Sequence, residues 1–248
     1  MNQSVTVTGM VLSATPIGEY DKRIVLLTKE KGKVSAFAKS ARKQNSPLMG
    51  VTNPFSFGEF VLYEGRSSYN VMQANISNYF MELSLDLEGA YYGFYFMEIA
   101  DYYTKEYNDE REMLKLLYQT MRALASGKIN RKLVRYIFEL KALAINGEAP
   151  EVFRCANCGV DNRSVVFSSE NHGLICEECK GLALDGLPVA KSTLYTLQYI
   201  ISSAIEKLYT FVVSEEVLSE LEAILRQYMN THVDKKFKSL EILEMCLK

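Results

Sequence analysis

Histidine is scarce in this sequence: its 248 residues include only two, His172 and His232. The two do not form the HExxH pair of zinc hydrolases. The chain also lacks the loops GxxxxGKS/T and GxGxxG, which hold nucleotide phosphates, and the GxSxG turn of serine hydrolases. These absences indicate a protein that binds rather than catalyses, and we expect no enzymatic activity.

Long apolar runs are missing as well. No uncharged stretch approaches the roughly 20 residues that a membrane helix needs. The start, MNQSVTVTGMVL, has no basic region followed by an apolar core, so no secretory signal is predicted. We therefore expect a cytoplasmic protein without membrane contact. Thiols stay reduced in the cytoplasm, where paired cysteines favour a metal site over disulfides.

Charged residues are unevenly distributed along the chain, although the net charge is only −2. Residues 1–80 carry nine Lys and Arg against five Asp and Glu, which gives +4, whereas residues 81–248 are net −6. Eight of the nine cations lie in residues 21–44, DKRIVLLTKEKGKVSAFAKSARKQ, between apolar residues. Clustering of this kind indicates a surface for nucleic acid even in a slightly acidic chain.

Short β-strands are predicted from residue 5 to about residue 80. The runs VTVTGMVLSATPI, RIVLLTKE, KVSAFAKS, PFSFGEFVLYEG and YNVMQANISNYF are rich in β-branched and aromatic residues, and turn-forming residues separate them. Five short antiparallel strands suit a small closed barrel of the OB type, and an SH3-like barrel fits the same pattern. In KVSAFAKS, apolar residues alternate with Ser35, Phe37 and Lys39, which predicts a basic residue on one face of the strand.

From about residue 81 the apolar spacing becomes that of helices. Helices are predicted before the cysteines in LSLDLEGAYYGFYFMEIADYYTKEY, DEREMLKLLYQTMRALAS and NRKLVRYIFELKALAING, and after them in KSTLYTLQYIISSAIEKL, SEEVLSELEAILRQYMNTHV and KSLEILEMCLK. Asn130 and Ser214 suit N-caps, and Gly147 suits a C-terminal stop. The predicted class is α+β: an OB-type barrel domain at 1–80, then an all-helical domain at 81–248 with a cysteine insertion at 152–182.

Four of the five cysteines form two CxxC pairs separated by seventeen residues, a spacing typical of zinc sites with four thiolate ligands. The predicted ligands are Cys155, Cys158, Cys176 and Cys179. Four thiolates leave no open position for a substrate, so we expect one structural Zn²⁺ per chain, which folds a segment too short and polar to bury a core alone. His172, between the pairs, could replace one cysteine, and the lone Cys246 is expected to be a buried core thiol.

The basic segment and nearby aromatic residues together predict a nucleic-acid surface. Cationic side chains would neutralise phosphates, and aromatic rings could stack bases, although each ring individually also fits the barrel core. The aromatic candidates are Phe37, Phe55, Phe57, Tyr63 and Tyr69. The predicted cations are Lys22, Arg23, Lys31, Lys33, Lys39, Arg42, Lys43 and Arg66.

A second binding surface is predicted in the helical part. The tract AYYGFYFMEIADYYTKEY carries eight aromatic residues at positions 90–107, most of which are expected in the helical core. Surplus aromatic surface near cations could form a groove for an acidic, apolar peptide. The cations concerned are Arg122, Arg131, Lys132 and Arg135.

The order of these parts resembles the RecO family of bacterial recombination mediators and DNA-repair proteins. The resemblance runs the length of the chain, and its most distinctive part is DKRIVLLTKEKGKVSAFAKSARK, followed by PFSFGEFVLYEG and by the CxxC insertion. Ser40 stands where members commonly have glycine, and some members lack the cysteines.

The resemblance implies an OB-fold domain and a helical domain with a zinc-finger insert. It implies a mediator that binds single- and double-stranded DNA, anneals complementary strands and, with RecR, helps RecA displace single-stranded DNA-binding protein. The acidic C-terminal tail of that protein would bind the helical domain. Carried over onto this chain, Arg23, Lys39 and Arg42 would contact DNA and the four paired cysteines would hold zinc. Such a protein would be cytoplasmic and associated with the nucleoid.

Two other classes of function remain open from the residues alone. Charge patterns do not separate DNA from RNA, so an RNA-binding OB/zinc-ribbon factor in translation or transcription is the alternative. A pure protein scaffold is a third class, and it would leave the basic cluster at 21–44 without a role.

Overall fold

The computed structural model describes residues 4–65, 68–161 and 164–246, which divide into two compact units. The first unit comprises residues 1–125 together with 237–248, and the second comprises residues 126–236. The domain boundary predicted after residue 80 falls inside the first unit, between its strands and its first helix, and it stays a prediction. Among the described residues, no helix is both long and apolar enough to cross a bilayer.

In the first unit, five strands of the described residues close into a barrel. They are β1 (Ser4–Ile17), β2 (Asp21–Thr28), β3 (Gly32–Ala38), β4 (Phe57–Glu64) and β5 (Tyr69–Asn78), in the order β1-β2-β3-β5-β4. β1 pairs antiparallel with both β2 and β4, and a short parallel pairing of β3 with β5 closes the barrel. This is the strand order of the OB fold, so the predicted OB-type barrel is confirmed and the SH3-like alternative is wrong.

Alternation of side chains along the strands fills this barrel. In β3, Val34, Ala36 and Ala38 point inward, whereas Ser35 and Phe37 are half-buried on the outer face. The core brings together side chains from all five strands, including Val7, Val11, Ile24, Leu26, Val34, Ala36, Phe60, Leu62 and Val71. Each large apolar side chain buried in this way contributes about 1.5–3 kcal/mol to the stability of the barrel.

The helices of the first unit are α1 (Met81–Ser84), α2 (Leu87–Tyr103), α3 (Arg111–Ser126) and, near the end of the chain, the C-terminal helix Lys238–Cys246. Asp86 caps α2 by accepting a hydrogen bond from the backbone N–H of Gly89. The C-terminal helix packs against α2, where Ser239 donates to the carboxylate of Glu98 and the ring of Phe237 contacts Tyr95. The last helix thus completes the unit in which the chain begins.

α2 is shorter than the sequence pattern predicts. It ends at Tyr103, and the next residues leave the helix and bridge to the barrel through Glu106 and Gly32. The backbone N–H of Tyr107 donates to the carbonyl of Lys31 at 3.1 Å. Gly32 permits this approach, because its φ is +65° and an added Cβ would lie 2.6 Å from the carbonyl oxygen of Asn108. Residues 105–108 therefore contact the β2–β3 turn of the barrel instead of continuing the helix.

The second unit contains α4 (Arg131–Ile145), α5 (Lys191–Ser202) and α6 (Glu215–His232). Both predicted N-caps are confirmed: the side chain of Asn130 accepts from the backbone N–H of Lys132, and that of Ser214 accepts from Val217. α4 packs against both other helices. The C-terminal helix of the first unit, Lys238–Cys246, is α7.

The cysteine segment of the second unit contains strands that the sequence pattern did not predict. β6 (Ser164–Ser168), β7 (Gly173–Cys176) and β8 (Leu187–Pro188) form a sheet in the order β7-β6-β8, with a 3₁₀ helix at Glu177–Leu182. The sheet therefore reaches beyond residue 182, where the predicted insertion ends. The carboxylate of Asp185 fixes this part by accepting hydrogen bonds from Ser168, Ser169, Glu170 and Gln227.

Candidate functional site

The outer face of β2 and β3 carries the centre of the basic segment. Arg23 on β2 lies opposite Phe37 on β3, and its Nε donates a 2.9 Å hydrogen bond to Oγ of Ser35. This bond orients an exposed guanidinium along the strands and leaves its terminal nitrogens available. Lys31, in the β2–β3 turn, places its ammonium 5.6 Å from the centre of the Tyr69 ring. Two cations and a half-buried phenylalanine thus share one face of the barrel.

Three more cations lie where β3 ends. Lys39 is exposed and makes no hydrogen bond or ion pair with any residue that the structure describes. Arg42 donates from Nη1 to the carbonyls of Gly18 and Glu19, at 3.3 and 3.2 Å, and stays exposed. The ammonium of Lys43 lies 4.8 Å from the centre of the Tyr20 ring. These side chains continue the basic face from the strands to the adjacent β1–β2 turn.

Two predicted cations are engaged inside the first unit. Lys22 directs its ammonium to the loop before β4, with the closest contact at 2.7 Å to Oδ1 of Asn53. Its pKa is lowered, first by burial and then by the charge of Arg42. Lys33 forms an ion pair with Asp101 at 3.2 Å and also donates to its backbone carbonyl. Both lysines already have acceptors, which makes them weaker candidates for phosphate than their neighbours.

The remaining predicted cation of the barrel, Arg66, lies outside the described residues.

The aromatic candidates occupy different parts of the first unit. Phe55 and Phe57 pack on rings of the helices, at centroid distances of 5.0 and 4.4 Å, and Tyr69 belongs to the barrel core. Of the five candidates, Phe37 lies on the outer face of β3 among the cations.

The four paired cysteines converge in the second unit. The sulfur atoms of Cys155, Cys158, Cys176 and Cys179 all lie within 4.8 Å of one another. The sulfurs of Cys158 and Cys176 are 3.7 Å apart. A tetrahedral Zn²⁺ with bonds of about 2.3 Å would need separations of about 3.8 Å. The donor set and its spacing therefore fit a metal ion, and the four cysteines could hold one.

The backbone around the first pair shapes this site. Gly159 has a φ of +73° and donates its N–H to the carbonyl of Cys155, which closes the turn of the knuckle. Burial opposes ionisation of Cys155, but N–H groups of Cys158, Cys176 and Asn157 outweigh it and lower the pKa of Cys155 to about 6. Backbone donors directed at a sulfur favour a thiolate, the form that binds metal.

The pKa of the neighbouring thiol, that of Cys158, is shifted in the opposite direction. Although the N–H of Val160 favours the thiolate of Cys158, contacts with the sulfurs of Cys155, Cys176 and Cys179 and burial raise its pKa to about 12. Four sulfurs crowded together cannot all ionise without a cation to neutralise them. The cluster is thus electrostatically suited to a divalent ion.

His172 and Cys246 both lie outside the cluster of four sulfurs. His172 is not part of the sulfur cluster: its ring lies on that of His232, with centroids 4.3 Å apart. The prediction that Cys246 is a buried core thiol is wrong, because it is exposed at the end of α7. Among the described residues of α7, Leu243 is the one buried side chain.

The four cations predicted for peptide binding occur in both units. Arg122 lies on α3 of the first unit, and Arg131, Lys132 and Arg135 lie on the first turns of α4 in the second. The ammonium of Lys132 is 3.5 Å from the carboxylate of Glu222. Arg135 donates at 2.7 Å to the buried Glu139. Any peptide at α4 would have to compete with these internal carboxylates.

Comparisons with known proteins agree with the architecture. A family model described as Recombination protein O N terminal matches residues 1–80, and one described as Recombination protein O C terminal matches residues 84–241. The chain is 32% identical over 236 residues to the DNA repair protein RecO of Alkaliphilus metalliredigens, covering 94% of this chain and 96% of the relative. It is 30% identical over 237 residues to that of Acetivibrio thermocellus, covering 95% and 94%.

The chain belongs to the RecO family. It is therefore a DNA-repair protein, and the family resemblance noted in the sequence is confirmed. The two matched ranges are separated by residues 81–83, at α1, which follows the last strand of the barrel. One feature of this RecO chain that the sequence pattern missed is Tyr107, which the helical spacing assigned to the aromatic tract of α2. The sequence offers Gly32 as a turn glycine. That the chain next to Tyr107 packs closely against Gly32 is seen only in the structure.

Proposed function

We propose that this chain is a recombination mediator in DNA repair, which binds single- and double-stranded DNA through the outer face of its barrel and anneals complementary strands. The observation that carries the proposal is the basic face formed by Arg23, Lys31, Lys39, Arg42 and Lys43. Clustered cations on one surface neutralise phosphates and release counterions, which is the main source of sequence-independent affinity. Annealing requires the charge of both strands to be screened, and the same cations can supply this screening.

The basic face as proposed here excludes Lys22 and Lys33, although both are positively charged residues of the same segment. Lys22 and Lys33 have internal acceptors, whereas Lys39 has none among the described residues. The exposed members lie along the outer face of β2 and β3 and at the adjacent turns, so a backbone could follow them without base-specific contacts. Such a surface serves a mediator that must act on any sequence.

The test compares two double variants with the same change in charge. Lys39→Ala with Arg42→Ala should weaken binding to single-stranded DNA and flatten the plot of log affinity against log salt by about 0.7 for each lost contact. Annealing should fall in parallel. The control, Lys128→Ala with Lys191→Ala, removes two exposed cations of the second unit and should change neither.

The result that contradicts the proposal is wild-type affinity and wild-type salt slope in the Lys39/Arg42 variant, with its circular dichroism unchanged. The barrel would then not be the DNA-binding surface. Including a single-stranded RNA of matched sequence addresses the alternative function, because equal or tighter binding of RNA would favour an RNA-binding factor.

We further propose that the four-cysteine site holds one structural Zn²⁺ per chain. Zinc prefers four thiolates in tetrahedral arrangement, and a full set of protein ligands leaves no position for substrate. The ion would fix the knuckle that joins β7 and the 3₁₀ helix, and would take no part in annealing. The proposed activity is accordingly one of binding and not of catalysis.

We infer the partners from membership of the family. We propose that the chain works in the cytoplasm at the nucleoid with RecR, and helps RecA load on DNA coated by single-stranded DNA-binding protein. The acidic C-terminal tail of that protein would bind near Arg122, Arg131, Lys132 and Arg135. Titrating a tail peptide against a charge-reversed variant of each cation tests this site, and unchanged affinity in all four would exclude them.

A further inference from the structure

A cavity of about 470 Å³ lies in the first unit beside the outer face of β3. Its lining includes Arg23, Lys31 and Phe37 from the basic face, Glu64 at the end of β4, and Glu106 and Tyr107 from the segment that follows α2. Its volume is in the range of about 300–1,000 Å³ that is usual for small-ligand sites. The barrel alone does not form this cavity, because residues after α2 supply part of its wall.

Tyr107 is held at this wall in an unusual conformation. Its φ is +64°, a region that a bulky residue rarely adopts, and the residue is 73% exposed. A hydrogen bond from its backbone N–H to Lys31 and the close approach over Gly32 fix this conformation. Backbone strain held in place by surrounding structure is concentrated at functional sites. Tyr107 is exposed and does not contribute to a core, and it lines the cavity.

The charged residues around the cavity suit different parts of a nucleotide. Arg23 and Lys31 line the cavity next to the rest of the basic face and are suited to a phosphate. The exposed Glu64 and Glu106 line the same cavity and would repel a phosphate, but their carboxylates can accept hydrogen bonds from the amino group of a base. Phe37 and Tyr107 present aromatic surface, on which any base can stack. Rings, carboxylate acceptors and cations together match a base with its phosphate.

We infer that this cavity receives one unstacked nucleobase of single-stranded DNA, with Tyr107 as a stacking residue supplied from outside the barrel. The inference rests on the proposed function, because it assumes that DNA follows the basic face. It adds a base-binding position to a surface that otherwise contacts phosphates. Because the two glutamates accept hydrogen bonds, bases with an amino group (cytosine, adenine and guanine) bind better here than thymine, which has none.

The test uses Tyr107→Ala, with Tyr107→Phe to restore the ring and Tyr195→Ala as a control, since Tyr195 is a similarly exposed tyrosine of the second unit. Tyr107→Ala should weaken binding to an oligo-dC or oligo-dA strand by about 5- to 100-fold without changing the salt slope, and Tyr107→Phe should recover most of the loss. A strand of abasic sites should bind wild type and Tyr107→Ala equally, and so should a duplex, whose bases are not available.

The outcomes separate this inference from the function on which it rests. If Tyr107→Ala binds oligo-dC like wild type while the Lys39/Arg42 variant binds weakly, the barrel binds DNA and the base-binding cavity is refuted. An equal loss on abasic and normal strands would also refute it, because the ring would then act on the backbone. If the Lys39/Arg42 variant binds like wild type, the proposed function itself fails. A preference for oligo-dT over oligo-dC would overturn the role given to the glutamates.

Discussion

The backbone N–H of Ser40 donates a 2.7 Å hydrogen bond to Oδ1 of Asp21, and Ser40 has a φ of +56°. Asp21 opens β2 and Ser40 follows the end of β3, so this bond joins the two ends of the basic segment. It holds the chain in a left-handed turn directly before Arg42. Ser40 therefore stands in a backbone conformation that glycine adopts without strain.

The first prediction concerns this turn. Ser40→Gly should stabilise the protein by about 0.5–1 kcal/mol, because the strain of a left-handed serine exceeds the extra entropy of glycine in the unfolded chain. Urea denaturation measures the change. Ser219→Gly is the control: the same substitution in α6, at an exposed helical position, should destabilise by a few tenths of a kcal/mol. Loss of stability in Ser40→Gly would contradict this account of the turn.

The strands and helices could be predicted because their apolar residues follow regular spacings. β3 alternates buried and half-buried residues as its sequence indicates, and the caps Asn130 and Ser214 begin helices where expected. These features depend on neighbours within a few positions. The four cysteines could be predicted as well, because two CxxC turns have a fixed local geometry.

The parts that could not be predicted depend on contacts between distant residues. Nothing near Lys33 in the sequence indicates that its ammonium pairs with Asp101, so the pattern counted it with the exposed cations. The end of α2 at Tyr103 depends on the barrel edge at Gly32, and the apolar spacing of the tract continues past it. The sequence pattern places Cys246 in a core because single cysteines are usually buried, but the residue is exposed, with its thiol beside Tyr91 of α2.

The second prediction concerns the metal. Purified, reduced protein should contain about one Zn²⁺ per chain, and Cys176→Ser should lose it and lower stability by about 2 kcal/mol or more, a fall in Tm of roughly 5 °C. Cys246→Ser removes the cysteine outside the four-sulfur cluster and should change neither quantity. Annealing by the folded fraction of Cys176→Ser should persist. Metal analysis that finds no bound metal in wild type would refute the site.

The third prediction concerns pH. Burial opposes ionisation of Asp185, but donors from Ser168, Glu170 and Ser169 outweigh it, so its pKa lies below the ordinary value. A lowered pKa in the folded state stabilises the fold above the unfolded pKa, about 4, and this contribution is lost as the pH falls through the folded pKa. Asp185→Asn should therefore cost about 1–2 kcal/mol at pH 7 and progressively less below pH about 4.

Urea denaturation of wild type and Asp185→Asn, from pH 7 to below pH about 4, measures the difference in their stability. Asp234→Asn, at an exposed position of the same unit, should cost little at any pH. A penalty for Asp185→Asn that stays constant as the pH falls would show that the charge of Asp185 does not stabilise the fold.

The last prediction separates the two kinds of lysine in the basic segment. Lys22 and Lys39 carry the same charge, but the ammonium of Lys22 has three acceptors in the loop before β4 and that of Lys39 has none among the described residues. Lys39→Met should lower affinity for single-stranded DNA and reduce the salt slope by about 0.7, with stability unchanged. Lys22→Met should leave the salt slope unchanged and cost about 1–2 kcal/mol of stability, because the loop loses its donor.

The two substitutions are each other's control, since both remove one positive charge and keep a long side chain. Salt titrations of DNA binding give the salt slope of each variant, and urea denaturation gives the stability of each. A smaller salt slope in both variants would mean that the loop releases Lys22 when DNA binds. A smaller slope in Lys22→Met alone would reverse the assignment, and the phosphate track would then run along the loop at residues 49–53 and not past the end of β3.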